Sequence, residues 1–226
     1  MGREPALRMT DDRAVQIDPA ILYWGTPVVL ISTLNPDGSA NLAPMSSAWW
    51  LGWGCMLGMT ESAQTVQNLR RAGACVLNLP SADMTEAVDR IARTTGAFPL
   101  PADKEWLGFE YEPRKFDRAR LTPTPSLQVA PPRVRECPVQ MEATVETIAP
   151  FGASNPKVRT KVAAIELRVV AVHADPDIRL DGAPDRIDPD KWRPLIMSFR
   201  EFYGLGPKSG PSRLGEISED LWRPRA

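Results

Sequence analysis

The stretch from Asn41 to Asn68, NLAPMSSAWWLGWGCMLGMTESAQTVQN, sets the narrowest limits on the fold. Pro44-Met45-Ser46-Ser47-Ala48 is small and rich in hydroxyls, and three tryptophans follow within five residues, Trp49, Trp50 and Trp53. The apolar run Cys55 to Met59 then reads as a buried strand. It breaks at Thr60-Glu61-Ser62, where a helix begins. A chain that passes from strand to helix here needs further strands on either side to cover this apolar run.

The flanking sequence provides them. Residues 27 to 34 are short, β-branched and apolar, and Asn35-Pro36-Asp37-Gly38 is a turn in which Pro fixes φ and Gly supplies the freedom to reverse. Residues 39 to 43 return, so 27 to 43 form a hairpin, and 53 to 59 form a third strand. Ser62 is the expected N-cap of a helix through Arg71, with Val66 and Leu69 on one side and Gly73 as its stop. Residues 74 to 79 are the next strand. Asp83 and Glu86 suggest a capping box opening a second helix, with Met84, Ala87, Val88, Ile91 and Ala92 as its apolar face and Gly96 as its end.

Residues 97 to 133 are irregular, with single helical turns at 103–107 and 113–119. Val134 to Ile148 reads as a long strand interrupted at Pro138, which suggests an edge or bulge. In Val162 to His173, Ile165, Leu167 and Val169 alternate with Glu166 and Arg168, as in a strand with one wet face. A compact aromatic segment, Trp192 to Gly206, follows. About six strands with two longer helices give a mainly β fold, an antiparallel barrel with peripheral helices, which removes the sheet's edges. The expected organisation is an N-terminal arm over 1–20, a barrel domain over 21–175 and a C-terminal extension over 176–226.

The 27 basic residues nearly balance 28 acidic ones, and no run of Lys or Arg marks a nucleic-acid surface. No apolar stretch has the length of a membrane helix, and residues 1–16 carry no signal-peptide core. Three widely spaced cysteines argue against a disulfide framework or a zinc site, and Cys55 and Cys75 read as core residues. A reducing, cytoplasmic location is expected.

The usual catalytic groups are missing. The one histidine, His173, counts onto the same strand face as Ile165, Leu167 and Val169, and reads as packed and hydrogen-bonded. No nucleophile elbow, P-loop or dinucleotide fingerprint appears, and no His, Cys and carboxylate cluster has metal-ligand spacing. Nearly all of the acidic residues read as solvated surface. An enzyme of this composition needs a cofactor that carries its own redox chemistry. The helix start at Ser62-Ala63-Gln64-Thr65 is either a plain capped helix or an anion site made of hydroxyls and free N–H groups.

GTPVVLISTLNPDGSANLAPMSSAWW followed by TESAQTVQNLRRAGACVLNLP resembles the flavin reductase-like FMN-binding split-barrel family, which includes flavoredoxins. The shared pattern is a strand ending in Thr, a Gly turn, Asn-x-Ala-Pro-x-Ser, then Thr-x-x-Asn-Leu, a glycine and a strand ending in Asn-Leu. The resemblance implies a homodimer with FMN bound non-covalently near the subunit interface. It implies that Asn41, Met45, Ser46, Ser47 and Ala48 line the isoalloxazine, with Trp49 packing at the ring or ribityl chain. Thr60, Ser62, Gln64 and Thr65 would hold ribityl and phosphate, with Asn68 supporting the loop. By their position after the barrel strands, Tyr203, Phe199 and Phe202 read either as a ring cover or as an interface or core patch. No catalytic acid or base is transferred. Thr60 to Gln67 lacks a basic residue, so Arg70 or Arg71, or a distant residue such as Lys104 or Arg135, would neutralise the phosphate, or the helix end would suffice. The implied activity is hydride transfer from NAD(P)H to bound flavin, with an FMN-binding electron carrier as the alternative; a haem protein using His173 and a pyridoxamine-phosphate oxidase are weaker readings.

Overall fold

The computed structural model describes residues 14–222. Most of the expected N-terminal arm, residues 1–13, lies outside them. The main sheet is built from β2 (Val29–Leu34), β3 (Ala40–Met45), β4 (Ala48–Leu51), β5 (Gly54–Thr60), β6 (Ala74–Leu79), β7 (Val139–Phe151) and β8 (Val162–Ala174). Its seven strands run antiparallel in the order β3-β2-β6-β7-β8-β5-β4.

The outermost strands, β3 and β4, are consecutive in the chain. Only Ser46 and Ser47 separate them, and two residues span at most about 7 Å. The two edges must therefore meet, and the sheet curls into a barrel with a seam at this crossing. Gly58 N–H donates to the Ser47 carbonyl at 2.9 Å and ties the crossing to β5.

Two apolar cores result. The first contains Val29, Ile31, Leu57, Leu77, Ile165 and Leu167, all fully buried. The helix α1 (Gln64–Ala72) closes it with Val66 and Leu69. The second lies on the other face of β2 and β3, where Leu30 and Leu42 meet Val88 and Ile91, and Phe116 of the short helix Lys115–Ala119. Burial of this kind contributes about 25 cal/mol per Å² of apolar surface, so β2, buried on both faces, anchors both layers.

The hairpin 27–43 forms as expected. Asn35 N–H donates to Ser39 O at 2.8 Å, and Gly38 turns at φ 84°. Six expectations are corrected. The strand β4 begins at Ala48, where no strand was expected before residue 53. Ser62 is not the N-cap of α1: Ala63 is, without a side-chain cap, and the Ser62 hydroxyl turns away to donate to Asp103 Oδ2 at 2.7 Å. The Asp83–Glu86 capping box does not form. Ala82–Met84 is a 3₁₀ turn leading into a short helix, Thr85–Asp89, which ends well before Gly96, though Val88 and Ile91 keep the apolar face. The interruption at Pro138 is a strand start in the centre of the sheet, since β7 lies between β6 and β8.

The fifth correction concerns His173. In β8, Val169 pairs with Ala143 but Ala171 pairs with Glu142, so Val170 is an extra residue in a bulge. The bulge reverses the alternation. His173 therefore shares a face with Glu142, opposite Ile165, Leu167 and Val169, and its Nε2 lies 2.7 Å from Glu142 Oε1. Glu142 itself is fully buried, against the expectation of a solvated carboxylate. It accepts from the backbone N–H groups of Leu127, Gln128 and Val129 and so pins the Pro-rich loop. Burial pushes its carboxyl up, but these donors and His173 outweigh that and hold it below its ordinary value.

The aromatic segment contributes β9 (Ile196–Ser198) and β10 (Glu201–Tyr203), which join β1 (Trp24–Pro27) in a small sheet. Leu195 is buried in the second core, with Met197 and Phe202 packed against it. Cys55, Cys75 and Cys137 are all buried, and burial pushes the Cys55 thiol up to about 12, so they behave as core residues.

Candidate functional site

The outer face of β5 starts from the strand's period of two. Cys55, Leu57 and Met59 point into the first core, so Met56, Gly58 and Thr60 face outward. Beside them, Ala48 pairs with Leu57 and is buried, whereas Trp49 pairs with Met56 and is 57% exposed. Gly58 carries no side chain, and a Cβ there would sit 3.5 Å from Ser47 Cβ. A bare strip thus runs from the Ser46–Ser47 crossing to Thr60.

Beyond Thr60 the chain enters α1. Ala63 provides no capping oxygen, so the first-turn N–H groups at Gln64 and Thr65 receive nothing from a cap side chain. A cleft of about 260 Å³ adjoins this turn, lined by Glu61, Ser62, Asp103, Thr160 and Lys161. Lys161 arrives because Val162 pairs with Thr60, and Glu61 N–H donates to the Lys161 carbonyl at 2.9 Å. The basic residues weighed from the sequence are engaged elsewhere. Arg70 pairs with Glu61 at 2.7 Å, Arg71 donates to Leu34 O at 2.5 Å, Lys104 sits over the Phe109 ring, and Arg135 donates to Thr124.

Asn41, Gln64, Thr65 and Asn68 form one hydrogen-bonded network with Thr33 and Asn35. Asn41 Nδ2 donates to Thr65 Oγ1 at 3.1 Å and to Thr33 Oγ1 at 3.3 Å. Asn68 Nδ2 donates to Thr33 Oγ1 and Asn35 Oδ1, and Gln64 Nε2 donates to Asn68 Oδ1. Asn41, Thr65 and Asn68 are each at most 2% exposed, so these side chains lock α1 onto the hairpin and place its first turn. Gly96 packs against them: a Cβ there would lie 2.6 Å from Asn41 Oδ1.

A second cleft, of about 160 Å³, is lined in part by Met45 and Ser46. Val28, Pro44, Val88, Met197 and Phe202 wall it, and Tyr23 and Arg200 stand at its side. Tyr203 is half-exposed on β10 and does not line it, while Phe199 stands edge-on to Trp24. Lys161 and Arg200 escaped the sequence reading. The only signal for Lys161 was the register of β5 with β8, which no local pattern carries.

A seven-stranded antiparallel sheet that closes on itself at a two-residue seam defines the class of split β-barrels. Within it, the chain belongs to the flavin reductase like domain family, whose model matches residues 23–206. An uncharacterized protein of Bacillus subtilis (strain 168), YdfE, is 40% identical over 198 residues, covering 88% of this chain and 92% of that one. The flavoredoxin of Desulfovibrio vulgaris (Miyazaki F) has a similar fold, with TM-score 0.70 and 18% identity over 92% of this chain and all of that one. Nitrilotriacetate monooxygenase component B from Bacillus cereus aligns with TM-score 0.68 and 19% identity, over 89% of this chain and all of that one. Family membership supports a flavin-related oxidoreductase.

Proposed function

We propose that the chain is an FMN-dependent oxidoreductase of the flavin reductase type, which takes hydride from NAD(P)H and works as a cytoplasmic homodimer. One observation carries this reading. The bare outer strip of β5 links two hydroxyl-bearing residues at the barrel seam to a helix start without a side-chain cap. That arrangement suits a flat ring at one end and an anion at the other. The residues fit FMN in this sense: Met45, Ser46, Ser47 and the Ala48 backbone would border the ring, Trp49 would flank it, and Thr60 and Ser62 would meet the ribityl chain. The first turn of α1 and Lys161 would take the phosphate, with Asp103 and Glu61 opposing part of that charge. Asn41, Gln64, Thr65 and Asn68 would act through the position of α1.

Bound flavin supplies the two-electron chemistry, and the chain's part is to bind it, orient it and keep water from the ring. Neither cleft reaches the roughly 300 Å³ at which ligand pockets begin. Trp49 and Trp53 are each 57% exposed and Leu51 79%, an apolar surface that a second copy would cover. The barrel over 21–175 would hold the cofactor, with the extension over 176–226 closing over one side. Among the described residues, no helix is long and apolar enough to cross a membrane.

The test is reconstitution with FMN, desalting and an absorption spectrum, followed by anaerobic addition of NADH or NADPH. Retained flavin bleached by a nicotinamide supports the reading. Bleaching by dithionite alone favours the electron carrier, and absence of retained flavin overturns both. Sedimentation at several concentrations tests the dimer.

A further inference from the structure

The hairpin between β9 and β10 reverses in two residues. Ser198 pairs with Glu201, so Phe199 and Arg200 form the whole turn. Both have left-handed backbones, with φ 46° and 69°. Two-residue turns of this kind favour Asn-Gly or Gly-Gly, because a Cβ crowds the neighbouring carbonyl in the left-handed region. Phe-Arg is held there against that preference, and each side chain has a place. Phe199 N–H donates to Tyr23 O at 2.8 Å, and its ring centroid is 4.7 Å from that of Trp24. Arg200 lines the same cleft as Ser46, and its guanidinium has no hydrogen bond or ion pair among the described residues.

The cleft combines flat apolar walls, from Val28, Pro44 and Phe202, with one planar cation. An apolar cavity of about 150 Å³ accommodates one benzene-sized ring and far less than a dinucleotide; this cleft measures about 160 Å³. A guanidinium presents a fork of donors that matches a carboxylate in two parallel bonds. We propose that this cleft binds a small aromatic carboxylate, with Arg200 holding the carboxylate and the apolar walls holding the ring. Because Ser46 borders both this cleft and the proposed ring site, the bound molecule would lie beside the flavin if the proposed function holds. Its binding does not require flavin.

The experiment titrates benzoate, and benzamide as its neutral counterpart, into the full chain with and without FMN, read by calorimetry and saturation-transfer NMR. Benzoate should bind saturably, and benzamide at least about tenfold more weakly. Arg200→Gln should weaken benzoate about tenfold and abolish the discrimination, with Arg200→Lys intermediate. The double variant Phe199→Asn/Arg200→Gly should fold, melt at a higher temperature and lose benzoate binding. The proposal is overturned if the wild-type chain shows no saturable benzoate binding at millimolar concentration, if Arg200→Gln binds benzoate unchanged, or if benzamide binds equally well. Failure to retain FMN with benzoate binding intact would sink the proposed function and leave this inference standing.

Discussion

The backbone N–H of Gly58 donates to the carbonyl of Ser47 at 2.9 Å, joining the middle of β5 to the two-residue passage between the barrel's edge strands. Gly58 is also the gap in the outward-facing row Met56–Gly58–Thr60. Gly58→Val keeps the backbone bond and suits a strand, but sets a branched side chain on the strip beside Ser47. FMN affinity should fall at least about tenfold, or about 1.4 kcal/mol, with an unchanged far-ultraviolet spectrum. Unaltered affinity in a flavin titration would remove the strip from the site.

Lys161 tests the phosphate end. Its side chain is exposed and unpaired among the described residues, so it acts as a screened charge beside the start of α1. Lys161→Ala should weaken FMN by about 1 kcal/mol and leave riboflavin, which has no phosphate, nearly unaffected. The difference should shrink with added salt. Equal losses for the two flavins would show that Lys161 does not meet the phosphate.

Gly96 tests the buried network. Alanine there brings a carbon within 2.6 Å of Asn41 Oδ1 and 3.3 Å of Gln64 Cγ. The expected loss is about 1–3 kcal/mol in urea unfolding. The loss caused by Gly96→Ala should be smaller in an Asn41→Ala background, because the clashing oxygen is gone. Additive losses would mean that the two residues do not press on one another.

Glu142 should mark the acid limb of stability. Its carboxyl is held below the ordinary 4.5, so its stabilising contribution is fully present above that pH and is lost as pH falls through its value in the folded protein. Glu142→Gln removes a buried charge that accepts from three backbone N–H groups, at a cost of about 3 kcal/mol near neutrality. The gap between wild type and variant should close below pH 4.5 in chemical denaturation. A gap independent of pH would contradict the assignment.

Lys115, unlike Glu142, destabilises the fold when charged. It is 3% exposed, donates to Thr94 O at 3.2 Å, and is pushed down to about 8 by burial and then by Lys104, with Glu112 opposing. The unfolded chain keeps its proton up to 10.5, so stability rises with pH between about 8 and 10.5. Lys115→Met should be more stable than wild type by about 2 kcal/mol below pH 8, after loss of the Thr94 bond, and the advantage should fade towards pH 10.5. A constant difference across that range would show that the lysine does not titrate there.

What the amino-acid sequence determined by itself was local. The Asn35–Gly38 turn makes its own hydrogen bonds, the 27–43 hairpin and the α1 stop at Gly73 follow from nearby residues, and the alternation from Ile165 to Val169 announces one wet face. The order of motifs was enough to indicate the family. Only the tertiary structure decided what depends on register between distant strands. The extra residue at Val170 moves His173 across the sheet to Glu142, because in a strand a shift of one residue exchanges the faces. Asn41, Thr65 and Asn68 turn inward because α1 packs onto Thr33, and Ser62 leaves the helix start because Asp103, 41 positions away, takes its hydroxyl. Lys161 and Arg200 reach the two clefts through strand pairings that sequence periodicity cannot express, since periodicity records which face a residue occupies and not which strand lies beside it.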